Sequence, residues 1–166
     1  MGEERSTRDD LKAGRDAFMS RVEGVLEPSY RLATVLLLDH AAAEDAVHDA
    51  TLRAWNRYRR MAGDVTSFRT WFLSIVVAEC RRARWWRRLT LRGRGEGIVP
   101  SNGMQDALLR LRPGQRAALF CFFTLDLPID EAARVLGTSP ARVRSRVYRA
   151  EARLFPVLEV EEDLFS

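Results

Sequence analysis

The side chains best suited to chemistry in this sequence are arginines and tryptophans clustered just past its middle. Between residues 80 and 94, seven arginines surround the adjacent pair Trp85 and Trp86, and no acidic residue interrupts them. Guanidinium groups neutralise phosphates, and indole rings can stack on unpaired bases. The combination is suited to holding a nucleic-acid strand open.

A second group of candidate binding residues lies between Pro140 and Leu154. At 100° per residue, one side of this segment is apolar and predicts a core-facing stripe, formed by Val143, Val147, Ala150 and Leu154. The opposite side is centred on Ser145 and carries Ala141, Arg142, Arg144, Tyr148 and Arg149. These groups suit guanine edges and phosphates. An amphipathic helix whose arginines serve only solubility would show the same periodicity.

Residues that support catalysis or metal binding do not occur in a functional spacing. Cys80, Cys121, His40 and His48 each stand alone within helical patterns. A nucleophile needs a neighbouring base, and a structural metal needs clustered ligands. The sequence therefore predicts no catalytic residue, no cofactor, no metal and no small-molecule substrate, and both thiols are expected to be buried.

The elements that position the C-terminal face have the layout of a helix-turn-helix. Asp130 is predicted to cap a first helix, and Gly137 supplies the positive φ that ends it. Ser139 and Pro140 then begin a second helix after a short turn. This motif places its second helix in the major groove of DNA.

Helical periodicity also accounts for the N-terminal half, and no strand pattern appears. Residues 11–38 predict two helical pieces separated by Pro28, after a frayed segment over residues 1–10. Asp39 is predicted to cap a helix over residues 42–60, and Ser67 a longer helix that ends near residue 88.

Glycine and proline divide the chain into two units. Residues 89–105 form the only convincing linker, between a domain over residues 11–88 and a domain over residues 106–155, with an acidic tail over residues 156–166. No signal peptide or membrane span is indicated, so a cytoplasmic location is expected.

Charge is segregated along the chain. Residues 1–51 sum to −5 and residues 52–94 to +10, whereas residues 139–154 sum to +4 and residues 155–166 to −4. Two one-sign basic blocks predict two contacts with a polyanion. We further hypothesise that the acidic tail lies against a basic face and weakens DNA binding.

Three sequence blocks together resemble a known family. The chain resembles an extracytoplasmic-function (ECF) sigma factor of the sigma-70 family in three blocks, which occur in this order: AEDAVHDATLRAW (43–55), SFRTWFLSIVVAECRR (67–82) and the helix-turn-helix. The resemblance covers residues 15–154. It implies an all-α fold with two small helical domains, a region 2-like bundle and a region 4-like helix-turn-helix, joined by a flexible linker.

The resemblance also implies partners: core RNA polymerase, promoter DNA and an anti-sigma factor. In this family the region 2 helix docks on the β′ coiled coil, the loop 61–67 and the following helix recognise and melt the minus-10 element, and region 4 recognises the minus-35 element and touches the β flap. The implied polymerase contacts are His48, Asp49, Thr51 and Trp55; the minus-10 contacts are Arg81, Arg82, Arg84 and Trp85; and the minus-35 contacts are Arg142, Arg144, Ser145, Tyr148 and Arg149.

The chain departs from the family pattern at several of these positions. His48 stands where glutamine is usual, Ala78 where asparagine is typical, and Arg82 where aspartate is frequent; Ala141 and Arg142 replace a common Gly-Thr pair. The changes at 78 and 82 would suit a decoy that binds an anti-sigma factor without opening promoters. A repressor or activator that uses only the helix-turn-helix is a third alternative.

Overall fold

The computed structural model describes residues 2–61, 67–90 and 104–165, with side chains described for all of these except 2–11, 86–90, 105 and 156–165. Over these ranges the chain is helical and contains no strand, which confirms the all-α prediction. The elements are α1 Gly2–Leu37, α2 His40–Arg60, α3 Phe68–Thr90, α4 Met104–Arg110, α5 Pro113–Leu119, a π-helical turn Phe120–Thr124, α6 Ile129–Val135 and α7 Pro140–Phe165.

Helices α1, α2 and α3 pack against one another as a bundle. Phe18 of α1 is buried at its centre, with its ring centroid 5.3 Å from Trp55, 5.2 Å from Tyr58 and 5.9 Å from Phe68. The buried side of α2 consists largely of alanines at positions 43, 46, 50 and 54. Because these side chains are small, the axis of α2 can approach its neighbours closely.

Helix α1 is continuous, so the predicted break at Pro28 is wrong. Proline removes one helical hydrogen bond and crowds the carbonyl of residue 24. Gly24 is exposed, however, and has open space around it, so water can reach that carbonyl. Apolar residues on both sides of Pro28, including Val25 and Leu32, are buried in the bundle. This burial outweighs the local cost. The helix also begins at Gly2, so the predicted frayed segment is wrong for the backbone.

The starts of α2 and α3 are set by local contacts. Asp39 accepts a hydrogen bond from the Ala42 amide at 2.9 Å, which confirms its predicted role as a cap. At α3, the Ser67 carbonyl accepts the first helical bond from Trp71. The Ser67 hydroxyl instead donates to Thr70 Oγ1 at 2.9 Å.

The second unit contains α4 to α7 and has the predicted helix-turn-helix. Gly137 has φ +52°, and Ser139 Oγ accepts from the Arg142 amide at 3.3 Å, as expected for the end of α6 and the start of α7. Asp130 does not cap α6, because Pro128 occupies that position. Asp130 instead lies in the first turn, where a negative charge favours the helix dipole.

The borders of the predicted linker and tail differ from the structure. Helix α3 ends at Thr90 and α4 begins at Met104, so both helices enter the predicted linker; residues 91–103 lie outside the described residues. Helix α7 continues through the acidic tail to Phe165. The tail's side chains are not described, so the hypothesis that they cover a basic face stays a prediction.

The two units also pack against each other. Helix α1 contacts α5 and the π-helical turn, and α3 contacts α6. Within the described ranges, no helix combines the length and apolar character needed to cross a membrane.

Candidate nucleic-acid and polymerase interfaces

Helix α7 presents the two faces predicted from its periodicity. Val143, Val147, Ala150 and Leu154 are buried. The opposite face is exposed at Ala141, Arg142, Arg144, Tyr148 and Arg149, and Ser145 is half-buried. The Tyr148 ring is 73% exposed, a large fraction for an aromatic side chain. This face therefore offers three guanidinium groups and a phenol to a ligand.

Arg146 belongs to the fold rather than to this face. Its guanidinium lies over Gly114 of α5, where a Cβ atom would meet Arg146 Cζ at 3.3 Å. Burial lowers the pKa of Arg146, and the nearby charges of Arg81 and Arg142 lower it further. Arg146 is therefore partly buried against α5 and does not belong to the exposed face.

The predicted minus-10 residues lie near the C-terminal end of α3, but they are in different environments. Arg81 donates a hydrogen bond to the Leu136 carbonyl in the turn of the helix-turn-helix, and Arg82 pairs with Glu79. Arg84 is half-buried, and the Trp85 ring is 57% exposed. The predicted loop between Met61 and Ser67 lies mostly outside the described residues.

Glu79 is a structural residue that sequence reasoning missed. It is only 4% exposed and forms ion pairs with Arg82 of α3 and, at 2.7 Å, with Arg53 Nε of α2. A buried carboxylate must be paired, so a lone acid on the apolar side of α3 was the available signal. Glu79 lies one turn before Arg82 on α3 and pairs with it.

Two of the four predicted polymerase-binding residues, His48 and Thr51, line a groove between α1 and α2. The groove has a volume of about 630 Å³, and it is lined by Glu23, Leu26, Glu27, Tyr30, Glu44, Val47, His48 and Thr51. Asp49 is exposed beside His48 on α2. Trp55 does not line the groove; it is half-buried against Phe18, with the Arg59 guanidinium 5.6 Å from its ring centroid. Three glutamates make the groove acidic.

A larger, apolar groove of about 790 Å³ lies where the two units meet. Its lining includes Val35 of α1, Leu38 just after α1, Phe123 of the π-helical turn and Phe155 of α7. Phe123 and Phe155 are 61% and 60% exposed, which is unusual for phenylalanine.

Arg116 of α5 lies in the lining of this apolar groove and was also missed. It is 8% exposed, and it donates from Nε to the Val35 carbonyl at 2.9 Å and from Nη1 to the carbonyls of Leu109 and Leu111. Burial lowers the pKa of Arg116, and the charge of Arg84 adds to that effect. Its isolation among apolar residues of α5 was the only sequence signal.

Both cysteines are buried, as predicted. Burial raises the pKa of each thiol to about 12, and the negative charge of Glu79 contributes at Cys80. Among the residues whose side chains are described, no group of three or more potential ligands could hold a metal ion.

Two family models match the two helical units. Residues 22–91 match Sigma-70 region 2, and residues 101–154 match Sigma-70, region 4. Together the two matches cover more than half of the chain, and each contains one of the candidate DNA-binding surfaces. The chain therefore belongs to the sigma-70 family, whose members are regulatory DNA-binding proteins rather than enzymes.

Proteins with similar sequences narrow the assignment within the sigma-70 family. The ECF RNA polymerase sigma factor SigM of Mycobacterium tuberculosis is 34% identical over 145 residues, covering 78% of this chain and 70% of the relative. SigG of the same species, also an ECF sigma factor, is 28% identical over 163 residues, covering 75% of this chain and 44% of the relative. The chain is a member of the ECF RNA polymerase sigma factors.

Solved structures show the same fold. The sigma factor RpoE of Bartonella quintana, in complex with the anti-sigma factor NepR, matches with a TM-score of 0.70 and 25% identity over 87% of this chain and 98% of that chain. CnrH in complex with the cytosolic domain of CnrY matches with a TM-score of 0.67 and 24% identity, covering 92% of this chain and 94% of that one.

Proposed function

We propose that this sigma factor binds core RNA polymerase in the cytoplasm, recognises promoters through two DNA elements and opens the minus-10 element. The observation that carries the proposal is the exposed cationic face of α7, held in helix-turn-helix geometry beside a region 2 unit. A decoy would have no use for that face, so we do not propose that role.

The acidic groove between α1 and α2 is the proposed polymerase contact. Glu23, Glu27 and Glu44 around it attract a basic partner, and Leu26 and Val47 supply apolar area. The β′ coiled coil is the proposed partner, with His48, Asp49, Thr51 and Trp55 in the contact. Because Trp55 is half-buried in the bundle, its part is to support this surface as much as to touch the polymerase.

The C-terminal part of α3 is the proposed minus-10 contact. Extruding a base costs a few kcal/mol, and stacking on an aromatic ring returns about 1–3 kcal/mol per base. Trp85 provides an exposed ring, and Arg81, Arg82 and Arg84 provide charge for the strand. Because Glu79 already neutralises Arg82, we expect Arg82 to contribute less than its neighbours.

The exposed face of α7 is the proposed minus-35 contact. Arg142, Arg144 and Arg149 can pair with guanine edges or phosphates, and Ser145 and Tyr148 can contact neighbouring bases or the backbone. The second unit would also touch the polymerase β flap. The complex of the sigma factor RpoE with the anti-sigma factor NepR supports the further proposal that an anti-sigma factor binds this chain.

Run-off transcription with purified core polymerase and fragmented genomic DNA tests the function. We expect discrete transcripts that depend on this chain. The double variant Arg144→Ala, Arg149→Ala should lower them at least tenfold, because it removes two candidate minus-35 contacts. The matched control, Arg15→Ala with Arg110→Ala, removes the same charge from exposed positions on α1 and α4 and should keep the transcripts. Binding to core polymerase without any transcript would contradict the proposal.

A further inference from the structure

We propose that the apolar groove where the two units meet is a binding site for a fatty acid, with the alkyl chain against the apolar lining and the carboxylate on Arg116. The groove combines apolar walls with one buried cation, and an amphipathic monocarboxylate matches both features. The proposed promoter contacts use other surfaces, so this site goes beyond the proposed function and does not rest on it.

The walls of the apolar groove are hydrophobic side chains from four elements. Val35 belongs to α1, Leu108 to α4, Phe123 to the π-helical turn and Phe155 to α7. Both phenylalanine rings are more than half exposed. The volume of about 790 Å³ is within the range of about 300–1,000 Å³ that is usual for small-molecule sites. An alkyl chain bound here would remove these walls from water.

Few polar side chains of the lining can bind a ligand. The Thr34 hydroxyl already donates to the Tyr30 carbonyl of its own helix at 3.0 Å, and Thr124 is exposed. A ligand with several hydroxyl or amide groups would lose its hydrogen bonds to water and gain few in return. The lining therefore favours a ligand with a long apolar part and a single polar group.

Arg116 supplies the group that would bind the carboxylate. Its side chain is more than nine-tenths buried, yet it forms no ion pair with any described acidic residue. Nε and Nη1 donate to the carbonyls of Val35, Leu109 and Leu111, whereas Nη2 donates to none of the described residues. Nη2 is not fully buried, so a molecule in the groove can reach it. Buried cations are normally paired with an anion, and a bound carboxylate would provide one.

The charges around the groove favour one anionic group and disfavour a second. Burial lowers the pKa of Arg116, and the positive charge of Arg84 lowers it further, so a carboxylate beside the guanidinium would offset both effects. Glu151, exposed on α7, is the other charged residue that lines the groove within the described part of the chain. Its negative charge disfavours a dicarboxylate or a phosphate ester. The expected ligand is therefore a monocarboxylate.

Isothermal titration calorimetry of the full chain with decanoate tests the site, at ligand concentrations below micelle formation and without DNA or polymerase. We expect saturable binding of one decanoate per chain. Dodecanoate should bind more tightly and octanoate more weakly, by about three- to fourfold per methylene group, because each buried methylene adds a similar transfer free energy.

Ligands with the same chain and a different polar group test the charge of the site. Decan-1-ol should bind about tenfold more weakly than decanoate, because it forms no charge-assisted bond with Arg116. Decanedioate should also bind more weakly, because its second carboxylate is repelled by Glu151. Glu151→Gln should recover part of the affinity for decanedioate, whereas Glu44→Gln, exposed on α2 outside the groove, should not.

A pair of double variants locates the alkyl chain. Phe123→Ala with Phe155→Ala removes two walls of the groove and should weaken decanoate binding by about tenfold. Both rings are largely exposed, so the fold should survive, and circular dichroism checks that it does. The matched control, Met19→Ala with Leu52→Ala, removes exposed apolar side chains of α1 and α2 that do not line the groove, and it should bind decanoate as the parent does.

Three results would overturn the inference. The first is the absence of saturable decanoate binding, and the second is an equal loss of affinity in the two double variants, which would mean that decanoate binds apolar surface in general. The third is equal affinity for decan-1-ol and decanoate, which would remove the role of Arg116. This comparison uses the parent chain, so it holds even if the phenylalanine variant fails to fold. Because neither DNA nor polymerase is present, failure here leaves the proposed function intact, and a failed transcription assay leaves the fatty-acid site intact.

Discussion

At the scale of single residues, the arginines divide into those that hold the fold and those left for a ligand. Arg53 and Arg82 share Glu79, and Arg116 binds three carbonyl groups. Arg144 and Arg149 are exposed on α7. In the sequence these residues look alike, because a partner on another helix leaves no local pattern. Helical periodicity predicted the exposed arginines of α7, but it could not predict which arginines pair with a group on another helix.

Glu79→Gln should destabilise the first unit by about 2 kcal/mol. The change weakens two charge-assisted bonds and leaves two arginines without a counter-charge, although both side chains are nearly half exposed, so water limits the loss. Urea unfolding followed by circular dichroism measures the free energy of unfolding. Glu44→Gln, at an exposed position on the same bundle, is the control. An equal loss in both variants would show that Glu79 is not a structural ion-pair centre.

The buried thiols predict a loss of stability at alkaline pH. The pKa of Cys121 is raised from 9.0 to about 12, so above pH 9 the unfolded chain releases a proton that the folded chain retains. The free energy of unfolding should therefore fall as pH rises from 9 towards 12, by up to about 1.4 kcal/mol at pH 10 for one thiol. Comparing the pH 8 to pH 10 change between the parent and Cys121→Ala isolates this thiol. Equal slopes in the two proteins would contradict the expectation.

At the scale of elements, the sequence predicted those helix starts and ends that are determined by contacts between neighbouring residues. The Asp39 cap and the Gly137 turn depend on residues within one helical turn, and both are confirmed. The break at Pro28 was wrong because tertiary burial along α1 overrides one lost hydrogen bond. Asp130 was misplaced because a first-turn acid and a cap differ by only two or three residues in sequence.

Gly137→Ala should destabilise the second unit by about 1–2 kcal/mol. At φ +52° a Cβ atom is strained, and it would also press on the Arg81 guanidinium at 3.2 Å. Gly24→Ala is the matched variant with the opposite expected effect on stability. Gly24 lies inside α1, and an added Cβ atom there would have no neighbouring atom within 4 Å. That variant should gain about 0.5–1 kcal/mol from helix propensity. Thermal unfolding of both variants checks the two signs, and a neutral Gly137→Ala would mean that the turn relaxes readily.

At the scale of the whole molecule, charge segregation predicted two basic surfaces, but nothing in the sequence predicted that they would meet. The hydrogen bonds between the two units join residues that are 55 to 81 positions apart in the sequence, such as Arg81 with Leu136 and Arg116 with Val35. Pairings at this separation depend on how both units are shaped, not on either helix alone. The contacts between the two units could therefore not be predicted from the sequence.

The salt dependence of DNA binding tests whether α7 is the main duplex-binding surface. Each neutralised phosphate contributes about 0.9 to the slope of log K against log salt, so Arg142→Ala, Arg144→Ala and Arg149→Ala together should lower it by up to about 3. The control triple, Arg15→Ala, Arg31→Ala and Arg110→Ala, removes the same net charge from exposed arginines that already have an acidic neighbour, and should lower it by well under 1. Fluorescence anisotropy with a mixed-sequence 40-base-pair duplex, from roughly 50 to 200 mM salt, gives both slopes. Equal losses would show that the duplex responds only to net charge, and α7 would lose its proposed role.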